Sequence, residues 1–182
     1  TANGVTTNVQ VDVIESSASE VQNSQNTIGA TDNSTGWWGA HSDDFKVPSG
    51  ETKSISFTNY SNKVNAWNNY VVILRKSDKT EYAVVRADNY GWDGVKDDGI
   101  GYDACVHNGT QGDWGTWLAG MDGAKVTVYV TNPGDGTANI LVVMQGTTGT
   151  ISTQYYLGIN SVDSNDLNFA LTVDSCHLVF NE

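Results

Sequence analysis

Hydrophobic positions along the chain fall in short runs of period two or in short continuous blocks, each bounded by Gly, Asn, Asp, Ser or Pro. Val9, Val11 and Val13 alternate with Gln10 and Asp12, the pattern of a half-buried strand. Further strands are predicted over 38–45, 53–58, 70–75, 81–86, 125–131, 138–146 and 153–159. Residues 168–180, within LNFALTVDSCHLVF, close the chain as one strand or a pair. The linking segments VPSGET, NYSNKVNAWNN and KSDKT carry turn formers, and NPGDGT between two apolar runs is a hairpin signal. Residues 17–35 are small and polar, which predicts a linker or a surface excursion after the N-terminal strand. Helices have almost nothing to start from. Short, regularly spaced strands predict a single all-β domain over 1–182, an antiparallel β-sandwich, and eight to ten strands favour a jelly roll because closure protects sheet edges.

One stretch departs from this pattern. Residues 87–118 have no apolar period, yet hold Tyr90, Trp92, Tyr102, Trp114 and Trp117. A ring left in water forgoes roughly 1.5–3 kcal/mol of burial, so rings in connecting segments either fold into a small core or await a flat apolar partner. The interspersed Asn, Asp, Gln and Gly suit a sugar, whose ring has an apolar C–H face and a rim of hydroxyls. Trp67, Tyr90, Trp92, Trp114 and Trp117 are the candidate platform, and adjacent Trp37 and Trp38, one inward and one outward in a strand, add one more. Strand aromatics, among them Phe57, Tyr70, Tyr82, Tyr129, Tyr155, Tyr156, Phe169 and Phe180, are assigned to packing. Of the polar residues near the rings, Gln145 stands out because it ends the apolar strand ILVVMQG and projects beside whatever face that strand presents.

Charge narrows the partners. Nine basic against twenty-one acidic residues give a formal net charge of −12, which repels nucleic acid and anionic membranes and suits a neutral polysaccharide. No apolar run approaches a membrane span. A first residue other than Met suggests a mature or excised fragment, and the Thr/Asn/Gly-rich surface suggests a secreted or cell-surface setting. Cys105 and Cys176 are either one disulfide or two buried thiols. Asp43, Asp44, Asp88, Asp93, Asp97, Asp98 and Asp103 supply oxygens of the kind calcium takes, but in no EF-hand spacing; a structural calcium is therefore an option and a solvated acidic loop the alternative. Asp174, inside an apolar strand, needs a partner.

Catalytic patterns are thin. His41, His107 and His177 lack zinc-ligand spacing, and no nucleophile elbow or phosphate loop occurs. QVDVIE at 10–15 resembles the carboxylate strand of family 16 glycoside hydrolases, but Gln10 stands where that strand has its nucleophilic glutamate, and an amide forms no glycosyl ester.

GWWGAHSDDFKVPSGETKSISFTNYSNKVNAWNNYVVILRK, EYAVVRADNYGWDG and the closing ILVVMQG and LNFALTVDSCHLVF resemble non-catalytic jelly-roll carbohydrate-binding modules of bacterial polysaccharide-degrading and surface glycan-binding proteins. The resemblance covers most of the chain after residue 36 and is one of short segments. It implies binding of a polysaccharide or oligosaccharide, such as a β-glucan or related plant cell-wall glycan, without cleavage, by a module tethered to a catalytic or surface protein. Carried over, the site falls on Trp67, Trp92, Trp114 and Trp117 with Tyr90 and Gln145 beside them. A glycoside hydrolase or lyase on the same scaffold, or an adhesive domain whose rings meet protein, are the alternatives.

Overall fold

A computed structural model describes residues 14–88, 91–93, 99–100 and 106–181; the 9–13 strand pattern, Tyr90, Cys105 and most of the acidic 93–103 run lie outside the described residues. The fold is an antiparallel β-sandwich of an eight-stranded and a six-stranded sheet. Its strands are β1 (Ser19–Glu20), β2 (Thr27–Ile28), β3 (Phe45–Lys46), β4 (Thr52–Ser61), β5 (Tyr70–Arg75), β6 (Glu81–Arg86), β7 (Gly91–Asp93), β8 (Gly99–Ile100), β9 (Val106–Thr110), β10 (Ala124–Thr131), β11 (Thr137–Gln145), β12 (Ser152–Asn160), β13 (Asn168–Val173) and β14 (Cys176–Val179). A short helix, α1 (Trp114–Gly120), precedes β10.

The first sheet has the order β2-β14-β4-β10-β11-β12-β9, the second β3-β13-β5-β6-β7-β8. Within them, β2-β14-β4-β10 and β3-β13-β5-β6 are the two four-stranded halves of a jelly roll: the chain crosses between sheets at β2/β3, β3/β4, β4/β5, β8/β9, β12/β13 and β13/β14, so that late strands insert between early ones. The predicted hairpin at 132–137 joins β10 to β11, with Thr131 opposite Asn139.

Alternation decides what fills the space between the sheets. Val126, Val128 and Val130 of β10, Ile140, Val142 and Met144 of β11, and Tyr70, Val72 and Leu74 of β5 belong to one buried cluster drawn from both sheets. The second sheet is also covered outside: Val71, Ile73 and Val84 form a separate cluster under Trp37 and Trp38. That is why YVVILR is apolar at nearly every position. The predicted strand over 38–45 therefore shrinks to β3. Trp37 and Trp38 precede it in a turn, with Trp38 at φ 61°, and neither ring faces the space between the sheets.

Residues 17–35 are built into the sandwich. β1 runs parallel to β4, β2 pairs with β14, and Phe180 N–H donates to the Asn26 carbonyl. Apolar content was too low to predict this, because the segment docks through its backbone, with Ile28 as its buried anchor.

Candidate functional site

Most candidate residues collect at one end of the sandwich. β4 ends there at Ser61 and β10 begins opposite it; β11 ends there at Gln145 and β12 begins at Ser152. The same end carries the 62–69 loop with Trp67, the 111–123 segment with α1, and the turn after β6. Trp67 and Trp114 are 44 % and 60 % exposed. Trp92 lies in β7 with its backbone opposite Val84.

Trp117 is placed otherwise. It is buried in the main cluster, one turn of α1 before buried Met121. Asp113 caps this helix by accepting from Thr116 N–H at 2.8 Å, which holds its carboxyl below the ordinary range. An i, i+4 pair of large apolar residues after a capping Asp is a helix signal, and it takes Trp117 out of any exposed platform. Its indole N–H has no hydrogen-bond partner among the described residues, so packing alone holds the ring inside.

The outer face of the first sheet presents a different kind of surface. Because the valines of β10 point inward, Lys125, Thr127 and Tyr129 point out; by the same parity so do Gln145, Val143 and Leu141 of β11 and Ser152, Gln154 and Tyr156 of β12. Strand register aligns these into rows across five strands. One runs Thr58, Lys125, Gln145, Ser152, Thr110; the next Ser56, Thr127, Val143, Gln154, Asn108; a third, over four strands, Ser54, Tyr129, Leu141, Tyr156.

The first two rows form a furrow. A hollow of about 350 Å³ is lined by Glu20, Ser56, Lys125, Thr127, Val143, Gln145 and Asn181. A second, of about 220 Å³, is lined by Asn108, Gly109, Val143, Gln145, Ser152 and Gln154. Val143 and Gln145 belong to both, so the two hollows adjoin. Five strands at about 4.8 Å spacing give a furrow about 19 Å long, perpendicular to the strands. Its floor is partly fixed: Lys125 donates to Thr58 Oγ1 at 2.7 Å, Ser56 and Thr127 hydroxyls meet at 2.9 Å, and Gln145 Nε2 donates to the Ile151 carbonyl at 3.3 Å.

The third row bounds the furrow. Tyr129 and Tyr156 lie opposite Leu141 on either side, and Leu141 is 1 % exposed although it faces away from the core. Both tyrosines are half-buried, and burial raises their hydroxyls above the ordinary range, with the Glu15 and Glu20 charges adding to this at Tyr129. Their assignment to packing stands as cross-strand packing over Leu141 on the outer face, not in the core. The valine parity of β10 already places Tyr129 outside, and of the adjacent Tyr155 and Tyr156 only one can face in; it is Tyr155, fully buried against Tyr70.

Three of the acidic candidates, Asp43, Asp44 and Asp88, are engaged by the protein. Asp43 accepts from the backbone and hydroxyl of Ser24, Asp44 pairs with Arg75 and Lys79, and Asp88 with Arg86. Asp174 takes a 3.4 Å hydrogen bond from Ser175, and burial lifts its carboxyl above the ordinary range. No group of three or more metal-ligating side chains occurs among the described residues, and no helix among them is long and apolar enough to cross a membrane. Cys176 is a buried free thiol.

No protein-family model matches this chain, and no curated protein matches it. The class it can be assigned is that of the fold, a jelly-roll β-sandwich.

Proposed function

We propose that this domain binds a neutral polysaccharide, such as a β-glucan, along the furrow on the outer face of its first sheet, without cleaving it. The observation that carries the reading is the furrow's lining: hydroxyls of Ser56, Thr127 and Ser152, amides of Gln145, Gln154 and Asn108, and the outward side chain of Val143 at the centre. Amides and hydroxyls both donate and accept, as sugar hydroxyls do, so each sugar can be held by paired hydrogen bonds. A furrow open along its length accepts the interior of a chain, and strand spacing offers a fresh set of polar groups about every 4.8 Å.

Cleavage of a glycoside takes two carboxyl groups facing each other across the bond. Glu20 is the one carboxylate among the described residues that line the furrow, which favours binding over hydrolysis. The net charge of −12 supports a neutral ligand, and the setting it fits is a secreted or cell-surface protein in which this module is tethered to catalytic or surface domains.

The test is retention on insoluble β-glucan and xylan, with titration of their soluble oligosaccharides and an assay for new reducing ends. Binding without new ends supports the reading, new ends replace it with a hydrolase or lyase, and no retention on any glycan overturns it.

A further inference from the structure

The 62–69 loop inverts the usual order of burial. Ala66 is 1 % exposed and Asn68 and Asn69 are 5 % and 1 %, while Val64 and Trp67 are 65 % and 44 % exposed. A free loop would place the indole inside and the amides in water. Here the reverse is enforced by a network of amides. Asn59 donates to Asn69 Oδ1 at 2.8 Å, Asn69 donates to the Ala66 carbonyl at 2.7 Å, and Asn65 donates to Asn68 Oδ1 at 3.1 Å. Asn62 accepts from Val64 N–H at 3.0 Å, and Lys63 pairs with Asp122 at 2.9 Å. The Arg86 guanidinium lies over the Trp67 ring, 5.9 Å from its centre, and backs it from one face. The ring is thus held outward by a loop that has little freedom left to lose on binding.

We infer that Trp67, with Val64 of the same loop, is a second glycan contact that lies on the flat face of an insoluble polysaccharide, apart from the furrow. The inference rests on the glycan-binding reading. Neither hollow of the furrow is lined by this loop, and a projecting ring fits a flat partner, not an enclosed small molecule. Two side chains are far less than the roughly 800 Å² a stable protein interface buries on each partner, but they match the apolar face of one or two sugars. A second copy of the chain would bring another −12 of like charge. Furrow and loop together would make attachment to a polymer bivalent, which raises retention without changing affinity for a short soluble sugar.

The experiment compares wild type, Trp67→Ala, Val64→Ser and Gln145→Ala on insoluble β-glucan and with its soluble hexasaccharide. Trp67→Ala is expected to lose about tenfold in retention on the insoluble polymer, Val64→Ser less, both with unchanged hexasaccharide affinity and a melting temperature within about 2 °C of wild type. Gln145→Ala is expected to weaken both. Equal retention of Trp67→Ala and wild type overturns this inference alone, as does an equal loss on polymer and hexasaccharide. A concentration-dependent dimer abolished by Trp67→Ala overturns it in favour of self-association, and a wild type held by neither ligand overturns the glycan reading with it.

Discussion

Asn59 donates a 2.8 Å side-chain hydrogen bond to Asn69 inside the sandwich, where neither residue is more than 1 % exposed. Asn59 also donates to the Met121 carbonyl at 2.9 Å and accepts from Tyr70 N–H at 3.0 Å, so one amide ties together the end of β4, the start of β5, the 62–69 loop and the turn after α1. Asn59→Ala would leave two buried polar groups, Asn69 Oδ1 and Tyr70 N–H, without partners, at roughly 1–3 kcal/mol each before relaxation, while the Met121 carbonyl keeps only Ala124 N–H. The expected loss is about 3 kcal/mol or more in urea unfolding, and a loss below about 1 kcal/mol would mean that water replaces the amide.

Gln145 is the candidate residue from the sequence that the furrow retains, and its neighbour across the row, Lys125, is held by Thr58. Gln145→Ala and Gln154→Ala remove furrow amides from exposed or half-buried positions. Each is expected to weaken oligosaccharide binding about tenfold in calorimetry while changing stability by less than about 0.5 kcal/mol. Unaltered affinity in the double variant would move the binding site off this face.

Leu141 depends on the two tyrosines that flank it. Tyr156→Ala uncovers an apolar side chain on an otherwise polar face and removes the ring's own burial, so it is expected to cost about 2 kcal/mol and to increase binding of a hydrophobic dye. Tyr156→Phe, which keeps the ring, should be near wild type in stability. If Tyr156→Ala is equally neutral, Leu141 is covered by other groups.

What the sequence made legible is what short-range pattern controls. YVVILR and EYAVVR, joined by KSDKT, became β5 and β6 with the expected bounds, since each block is dense in β-branched residues and the turn fixes their register. The 17–35 segment was illegible because β1 and β2 are two residues long and held by backbone pairing with β4 and β14, partners far away in sequence. Trp117 and Trp114 look alike in sequence, three residues apart among Gly and Asp, and only the helix between them sends one inside. The furrow was invisible for a related reason. Its residues come from strands spread from β4 to β12, each with an ordinary outward polar position, and register alone lines them up.

Cys176 gives the fold an alkaline limit. It is fully buried at the start of β14, and burial pushes its thiol up to about 12. In the unfolded chain the thiol ionises near pH 9, so above that pH the unfolded state loses a proton that the folded state keeps. The stabilisation is complete below about pH 9 and is lost as pH rises from there toward 12. Between pH 8 and pH 10 the wild type should lose about 1–2 kcal/mol from this group, before the buried hydroxyl of Tyr70, also raised by burial, adds its share at higher pH. Cys176→Ala will be less stable throughout because of the small cavity it leaves, but its stability should change less over the same interval; it is the slope that tests the claim. In a Cys105→Ser background, a thiol reagent at pH 8 should leave folded Cys176 unmodified and label it fully in denaturant. Rapid labelling of the folded protein, with parallel pH slopes for the two variants, would mean that the β13–β14 corner opens readily and that burial does not control this thiol.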